Sequence, residues 1–363
     1  MLYRLAVGSV LATLISLTVL AQGCNTTSAP VTAADAEVES GPVGSRGPEL
    51  LPDGALPPPP PGSLEVSFGP VTVSAGTEKT QCVVKRLGNT GKIHVNRIQN
   101  RLGDSSHHLI VYRVADKEEK PTPYDCVPFA DTLDPRKGSP LMVTQKAEEE
   151  LALPRGVAFT MEPDQLVRLE MHYVNSTAAP KTLRSTSTFI TLPDPDFRDE
   201  ADFIFVGNPD IKIPPRSKFK LGPTYLPLPE SHEGVHFFAL TGHQHKMGIN
   251  VTVDIATGKD APVKSVYNVP DWLWNEPKTV FHDPPFDIPK GGGFRFTCEW
   301  DNTTNKQLNF GENADDEMCF FWAYYYPSRG SQVCAHTDQL KSGPVDLCCP
   351  GDPRCVFLQL AGQ

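Results

Sequence analysis

The stretch TGHQHKMGINVTVDI, residues 241–255, sets two histidines at the start of an alternating run that is typical of a β-strand. Side chains at i and i+2 of a strand point to the same face, which would place His243 and His245 about 6–7 Å apart along that face. Two imidazoles in this arrangement can converge on one metal ion. A polar strand end with two solvated histidines is the alternative interpretation. The stretch therefore predicts a β-fold and leaves the metal site to be decided by the rest of the chain.

The remaining sequence continues the β pattern. Short alternating or apolar runs recur on both sides of a Pro- and Asp-rich junction near 192–203, and 36 prolines and 28 glycines favour strands joined by turns. The main helical candidate is the brief QKAEEELALP, 145–154. We predict an all-β protein made of two consecutive jelly-roll-like β-sandwich domains, 63–197 and 198–330, with a short Cys-rich C-terminal tail, 331–363.

The N-terminal residues predict export. MLYR is followed by the apolar LAVGSVLATLISLTVLA and then by AQGC. This order resembles a bacterial lipoprotein signal, which implies a signal peptide over 1–23 and lipidation of Cys24. Residues 24–62 are small, polar and Pro-rich, as expected for a disordered tether. We expect a lipid-anchored protein of the cell envelope, in the outer membrane and periplasm or at the cell surface; ordinary secretion and a retained anchor helix are the alternatives.

Charge and cysteine content narrow the possible partners and compartments. The net charge of −10 argues against nucleic acid as a partner, because phosphate binding needs a basic surface. Nine cysteines fit an oxidising compartment, and eight remain if Cys24 is lipidated. The last four are close in sequence and are expected to pair among themselves, with a zinc site as the competing interpretation: Cys334, Cys348, Cys349 and Cys355.

Three further histidines are candidate metal ligands in the first half of the chain. His107 and His108 are adjacent in GDSSHHLIVYRV, so the backbone has to bend for both to face one ion. His172, in VRLEMHYVNS, would be the third ligand. Two exposed histidines and one partly buried histidine are the alternative.

The second half offers a methionine as the third ligand beside its two histidines. Met318 stands in ENADDEMCFFWAYYYP, where an acidic turn meets the start of an apolar strand. Two imidazoles and a thioether suit copper, and Cu(I) in particular. A core methionine is the alternative interpretation.

The segments HHLIVYRV, LEMHYVNS, GHQHKMG and DEMCFFWAYYYP occur in this order and at wide spacings. Together they resemble the copper type II, ascorbate-dependent monooxygenases, over about residues 65–330. The resemblance implies two jelly-roll-like domains, each carrying one copper, that face each other across a solvent-filled cleft. It also implies that an external reductant such as ascorbate supplies electrons and that O2 gives one oxygen atom to the substrate and one to water.

The resemblance carries over to particular residues. It implies an electron-transfer copper with three histidine ligands, His107, His108 and His172. It implies an oxygen- and substrate-binding copper with a mixed ligand set, His243, His245 and Met318. It implies two disulfides, Cys82–Cys126 and Cys298–Cys319.

The departures from the family concern the substrate. Members that act on peptidylglycine have an arginine where this chain has Thr241, and polar residues where it has Phe320 and Trp322. A peptide ending in glycine is therefore not expected as the substrate. The aromatic residues give a weak indication of an apolar or aromatic substrate, and packing in the core is the alternative.

We therefore predict a copper-dependent monooxygenase that hydroxylates a C–H bond of a small-molecule or peptide substrate. The alternatives are an exported copper-binding or storage protein without catalytic activity and a ligand-binding module on the same scaffold. A complete set of six ligand positions argues against the last of these.

Overall fold

The computed structural model describes residues 56–126, 138–311, 313, 315–340, 343–350, 352, 354 and 355. All of them belong to one compact unit, 42–363. This part of the chain consists of β-strands with two short 3-10 turns, Asp194–Asp196 and Glu230–His232, which confirms the all-β prediction. The predicted signal peptide, Cys24 and most of the tether lie outside it. Among the described residues no helix is long and apolar enough to cross a membrane.

The first sandwich is formed by strands β1 to β11. Their bounds are β1 Leu64–Val73, β2 Glu78–Arg86, β3 Ile93–Arg101, β4 Ser106–Val114, β5 Lys120–Asp125, β6 Gly138–Thr144, β7 Glu148–Ala152, β8 Val157–Met161, β9 Leu166–Val174, β10 Lys181–Leu192 and β11 Asp199–Glu200. One sheet has the order β1–β10–β3–β8–β11, with β7 also paired to β3. The other sheet has the order β5–β2–β9–β4–β6.

The second sandwich is formed by strands β12 to β23. Their bounds are β12 Asp202–Gly207, β13 Lys212–Ile213, β14 Ser217–Pro227, β15 His236–His243, β16 Gly248–Ala256, β17 Val263–Asn268, β18 Val280–Asp287, β19 Gly293–Asn302, β20 Leu308–Asn309, β21 Phe320–Tyr326, β22 Gln332–Thr337 and β23 Val345–Cys349. One sheet has the order β18–β15–β21–β12–β22–β23, the other β14–β19–β16–β17, and β13 pairs with β20.

The two sandwiches have the same topology. The order β1–β10–β3–β8 of the first corresponds to β12–β21–β15–β18 of the second, and β2–β9–β4–β6 corresponds to β14–β19–β16–β17. The correspondence preserves chain order throughout, so each sandwich contains one copy of the same eight-strand jelly roll. The sequence shows no matching repeat, because alternating patterns do not record which strand pairs with which.

The predicted helix in QKAEEELALP is wrong, since its centre forms β7. The strand pairs antiparallel with β3, and its acidic side chains meet partners there. Gln99 donates to Glu150 at 2.6 Å, and Arg101 lies 3.4 Å from Glu148. Leu151, on the opposite face of the strand, is buried in the core of the first sandwich. Cross-strand pairing and burial of this kind outweigh a weak helix propensity.

A shared apolar core joins the two sandwiches. One cluster fills the space between the sheets of the second sandwich and takes Phe321 and Tyr325 from β21. The alternate residues of that strand, Phe320, Trp322 and Tyr324, belong to the core of the first sandwich instead. The run FFWAYYY is therefore apolar throughout because both faces of β21 are covered.

A buried asparagine closes the first sandwich at the end of β9. Asn175 donates its amide to the carbonyls of Val73 and Ala179, both at 2.9 Å. Its side-chain oxygen accepts from the backbone N–H and the hydroxyl of Thr177 at 3.1 and 2.7 Å. All four bonds tie the end of this strand to the turn that follows it and to β1.

Asn302 does the same at the end of β19, the strand that corresponds to β9. Its amide donates to the carbonyls of Pro214 and Lys306 at 2.8 Å, and its oxygen accepts from the backbone and hydroxyl of Thr304 at 3.0 and 2.7 Å. In both sandwiches the partners along the chain are residues i+2 and i+4. The repeat that strand patterns conceal is therefore visible at these two asparagines.

All eight cysteines of the described part are in disulfides. The pairs are Cys82–Cys126, Cys298–Cys319, Cys334–Cys348 and Cys349–Cys355. The tail pairs within itself, which leaves no free thiolate among these residues for a zinc site. Its strands β22 and β23 extend the sheet of the second sandwich, β22 running parallel to β12.

Candidate functional site

The three histidines of the first sandwich come together on two neighbouring strands. His107 and His108 begin β4, and His172 lies opposite His108 on β9. The register between these strands shifts between Ser106 and His108, which places a bulge at His107. A bulge breaks the alternation that would send adjacent side chains to opposite faces. Ligand atoms of the three imidazoles all lie within 4.8 Å of one another, so the group can hold a metal ion.

Hydrogen bonds orient the three imidazoles of this group. His172 donates from Nε2 to a carboxylate oxygen of Glu78 at 3.0 Å, which leaves its Nδ1 as an acceptor. The Nδ1 atoms of His107 and His108 lie 3.1 Å apart. The Nε2 atom of His107 is buried and has no hydrogen-bond partner among the described residues. A carboxylate behind a histidine is the usual way of orienting a metal ligand.

Burial keeps these imidazoles neutral. Burial, and to a smaller extent the neighbouring His172, lower the pKa of His107 to about 3. Burial also lowers the pKa of His108 well below its usual value. It lowers the pKa of His172 as well, although Glu78 opposes the shift. Neutral imidazoles are the form that binds metals.

The second histidine pair lies where β15 ends. His243 is the last residue of the strand, His245 follows two positions later, and the ring centroids are 5.2 Å apart. In the antiparallel pairing with β21, His243 lies opposite Phe320. Continuing that register by two residues puts His245 opposite Met318, which is buried. The fold thus brings the three predicted ligands to one end of this strand pair.

Both imidazoles of this pair have Nδ1 within hydrogen-bonding distance of an oxygen acceptor. His243 Nδ1 lies 3.0 Å from the side-chain oxygen of Gln145, and His245 Nδ1 lies 3.1 Å from the carbonyl oxygen of Asp316. Oxygen acceptors at Nδ1 fix the tautomer that has its lone pair on Nε2. The Nε2 atom of His243 is buried without a partner in the described part of the chain. A buried nitrogen of this kind fits a metal ligand.

Glu317 organises the loop that carries the pair, and sequence reasoning did not single it out. Its carboxylate accepts from the backbone N–H groups of His245 and Met247 at 3.0 and 2.7 Å and from the indole of Trp300 at 2.8 Å. Burial raises its pKa to about 7, against the effect of these donors. The feature of the sequence that could have identified Glu317 is its position directly before the predicted ligand Met318.

The two groups of histidines face each other across the interface between the sandwiches. Burial lowers the pKa of His245 to about 4 and that of His243 well below its usual value. Smaller contributions to these shifts come from His107 at His243 and from His172 at His245. The electrostatics of the two groups are therefore linked.

The implied solvent-filled cleft is closed at two points. The indole of Trp274, from the loop after β17, stacks on His107 with ring centroids 5.4 Å apart and planes at 30°. Gln145, from the connection between β6 and β7, reaches from the first sandwich to the second and forms a hydrogen bond with His243. Neither residue stands in a motif, so only the fold identifies them.

The residues predicted to contact substrate lie in the interior. Thr241 is hydrogen-bonded to the hydroxyl of Thr279 at 2.9 Å. Phe320 stacks on Phe205 with centroids 4.8 Å apart, and Trp322 is 2% exposed. Their role in substrate binding stays a prediction, and in this arrangement of the sandwiches they serve packing.

Solved structures with a similar chain course are distant from this protein. The major capsid protein P2 from bacteriophage PM2 is 12% identical at a TM-score of 0.31, over 74% of this chain and 99% of that chain. PNGase F, a glycosylasparaginase from Flavobacterium meningosepticum, is 12% identical at a TM-score of 0.27, over 78% of this chain and 93% of that chain. Such low scores carry no argument about function. No curated protein matches the sequence.

A family model matches the second sandwich. Residues 201–342 match the C-terminal domain of copper type II ascorbate-dependent monooxygenases. The match runs from the start of β12 past β22 and includes His243, His245 and Met318. The second sandwich is therefore similar to the C-terminal domain of the copper type II ascorbate-dependent monooxygenases.

Proposed function

We propose that this protein hydroxylates a C–H bond of an organic substrate, a small molecule or a peptide, with O2 and an external reductant such as ascorbate. The observation that carries the proposal is the state of His243 and His245. Both are buried and neutral, both use Nδ1 for a hydrogen bond, and both lie in the domain that matches the family.

The residues at the interface fit two copper ions. One would be held by His107, His108 and His172, whose ligand atoms already lie within 4.8 Å of one another. The other would be held by His243, His245 and Met318, where the thioether favours Cu(I). When bound, the metals would supply electron transfer and the activation of dioxygen.

The protein contributes orientation, neutrality and exclusion of water. Glu78 holds His172, Gln145 holds His243, and the carbonyl of Asp316 holds His245. The apolar contact between the sandwiches keeps water from the group, which strengthens the electrostatic interactions inside it. A substrate that contacts Thr241, Phe320 or Trp322 would require the two sandwiches to part, because all three are buried here.

The proposed location is the cell envelope. Four disulfides among the described residues are consistent with an exported protein. Lipidation of Cys24 would then anchor the domains to a membrane through the Pro-rich tether.

A second candidate function is copper storage or delivery. The observation in its favour is the burial of both the histidines and the predicted substrate residues, which leaves little surface for a substrate. A carrier would bind the metals but would not consume oxygen faster when substrate is added.

Copper content tests the proposal directly. The purified chain, loaded with copper and freed of excess, should retain two ions per chain by elemental analysis, and His172→Ala should retain one. His236→Ala is the matched control, because this histidine is half-buried, belongs to neither group and pairs with Asp287 at 2.6 Å. The wild-type protein with two copper ions should also consume oxygen in a reaction that needs ascorbate, at a rate that rises when a substrate is added. Fewer than two ions in the wild-type protein would overturn the proposal.

A further inference from the structure

We infer that Gln145 of the first sandwich is a positioning residue for the metal site of the second, so that this site is complete only while the two sandwiches are docked. The inference rests on the proposed function for the identity of the metal. The hydrogen bond and the tautomer it selects are properties of the metal-free chain.

Gln145 lies between the two histidine groups. It directly follows β6, which pairs with β4 in a register that puts Thr144 opposite Leu109. Continuing this register by one residue puts Gln145 opposite His108, a predicted ligand in its own sandwich. Its side-chain oxygen lies 3.0 Å from Nδ1 of His243, in the other sandwich. The side chain is 6% exposed, so water does not compete for this contact.

The contact decides which nitrogen of His243 is available. A neutral imidazole has one donor nitrogen and one acceptor nitrogen, and an amide oxygen accepts only. Bonded to Gln145, His243 must carry its proton on Nδ1 and keep its lone pair on Nε2. With the opposite tautomer, a buried N–H at Nε2 would have no acceptor among the described residues, which is unfavourable.

The other histidine of the pair does not depend on the first sandwich. Nδ1 of His245 donates to the carbonyl oxygen of Asp316, within its own domain. The second sandwich thus orients one ligand by itself and takes the partner for the other from its neighbour. This asymmetry links docking to metal binding at His243.

Polar contacts hold the Gln145 segment against the second sandwich. Glu149, four residues on, accepts from the hydroxyl of Thr279 at 3.0 Å, and that hydroxyl lies 2.9 Å from the hydroxyl of Thr241. Lys146 lies 3.6 Å from the same carboxylate. The start of β7, directly after the connection that contains Gln145, is therefore fixed to the strand that ends in His243.

A purely structural role for Gln145 makes a different prediction. Its own Nε2 atom is buried without a partner in the described chain, so leucine would fill the space at little cost if bulk were all that mattered. Gln145→Leu then separates the two roles, and Gln145→Glu retains an oxygen acceptor as the conservative replacement.

The test measures the tautomer and copper binding separately. Long-range 1H–15N NMR of the metal-free chain, labelled at histidine, should show His243 protonated on Nδ1 in the wild type and in Gln145→Glu, but not in Gln145→Leu. Copper titration should show one ion bound about 10- to 100-fold more weakly in Gln145→Leu, the usual loss when the group holding a ligand is removed. The other ion should bind as in the wild type.

Gln165→Leu is the matched control. This partly buried glutamine bonds only within the first sandwich, at 2.9 Å to the carbonyl of Val114, so its loss should lower stability and leave the tautomer and both affinities unchanged. A wild-type His243 protonated on Nε2, or a Gln145→Leu chain with unchanged tautomer and affinities, would overturn the inference. A correct tautomer in a wild-type chain that binds no copper at His243 would instead overturn the proposed function.

Discussion

The two sandwiches carry their histidines on opposite sides of the same corner. In the first, His107 and His108 open β4, directly after the corner that leads from β3. In the second, His243 closes β15 and His245 stands in the corner that leads to β16, and these two strands correspond to β3 and β4. The same corner of the jelly roll therefore carries metal-ligand candidates in both sandwiches, after the corner in the first and at or before it in the second. The corner is a property of the jelly roll, and the chemistry depends on which side of it carries the imidazoles.

The two groups also differ in what completes them. The group in the first sandwich lies within one sheet and is oriented by Glu78 from the neighbouring strand β2. The group in the second sandwich joins a strand end to the start of β21 and depends on Glu317 and Gln145. A site within one sheet is fixed when the sheet forms. A site at strand ends needs further contacts to define it.

The equivalence of the two jelly rolls predicts equal losses at the two buried asparagines. Asn175→Ala and Asn302→Ala should each lower the free energy of unfolding by about 3 kcal/mol, because each leaves buried carbonyls without a donor. Urea unfolding followed by circular dichroism measures the loss. Asn309→Ala, at an exposed asparagine, should change it by less than about 0.5 kcal/mol. A loss at only one of the two buried sites would break the equivalence.

Acid should destabilise the metal-free protein. The folded pKa values of His107 and His245, about 3 and about 4, lie below the ordinary 6.5, so the unfolded chain takes up protons first as the pH falls. The free energy of unfolding contributed by these groups is therefore intact above pH 6.5 and declines from there toward pH 4. Urea midpoints measured at intervals between pH 7 and 4.5 test this, and a midpoint independent of pH would contradict the burial of neutral imidazoles.

Glu317 should oppose that decline and thereby distinguish the second sandwich. Its folded pKa of about 7 lies above the ordinary 4.5, so its contribution to stability is present at low pH and is lost as the pH rises through 7. Replacing it by glutamine removes this opposing effect, and the midpoint of Glu317→Gln should fall more steeply on acidification than that of the wild type. Equal slopes would show that the carboxyl does not titrate in this range.

The contact of Trp274 with His107 predicts a smaller, spectroscopic effect. In a His245→Ala background, copper bound by the three histidines of the first sandwich should quench the fluorescence of this stacked indole. Trp274→Phe should remove most of the quenching, whereas Trp272→Phe, in the core of the second sandwich, should retain it. Quenching that survives the loss of Trp274 would show that the second sandwich does not cover this site in solution.

The sequence predicts the candidate ligands better than it predicts their surroundings. The pair His107–His108 and the pair His243–His245 are visible because each is a local pattern, and the bend required at the first is present as the bulge in β4. The contact of Gln145 with His243 spans 98 positions and leaves no trace in any local pattern. Partners of this kind become visible only when the sheets are assembled.

Sequence patterns also failed where burial is unusual. FFWAYYY indicates a strand covered on both faces, but it does not say that the second cover is the other sandwich. EEELA has the composition of a helix, and the arginines and glutamine of β3 make it a strand. In both cases the deciding contacts come from residues far away in sequence.

The two buried asparagines bear on production of the protein in a eukaryotic host. Asn175 and Asn302 each begin an Asn-x-Thr triplet, the acceptor sequence for N-linked glycans. Both are at most 1% exposed and have their amides fully engaged, so the folded chain cannot offer them to a glycosyltransferase. The third such triplet in the described part begins at the half-buried Asn250 on β16. A sugar found at 175 or 302 would therefore identify molecules that were modified before that sandwich had closed.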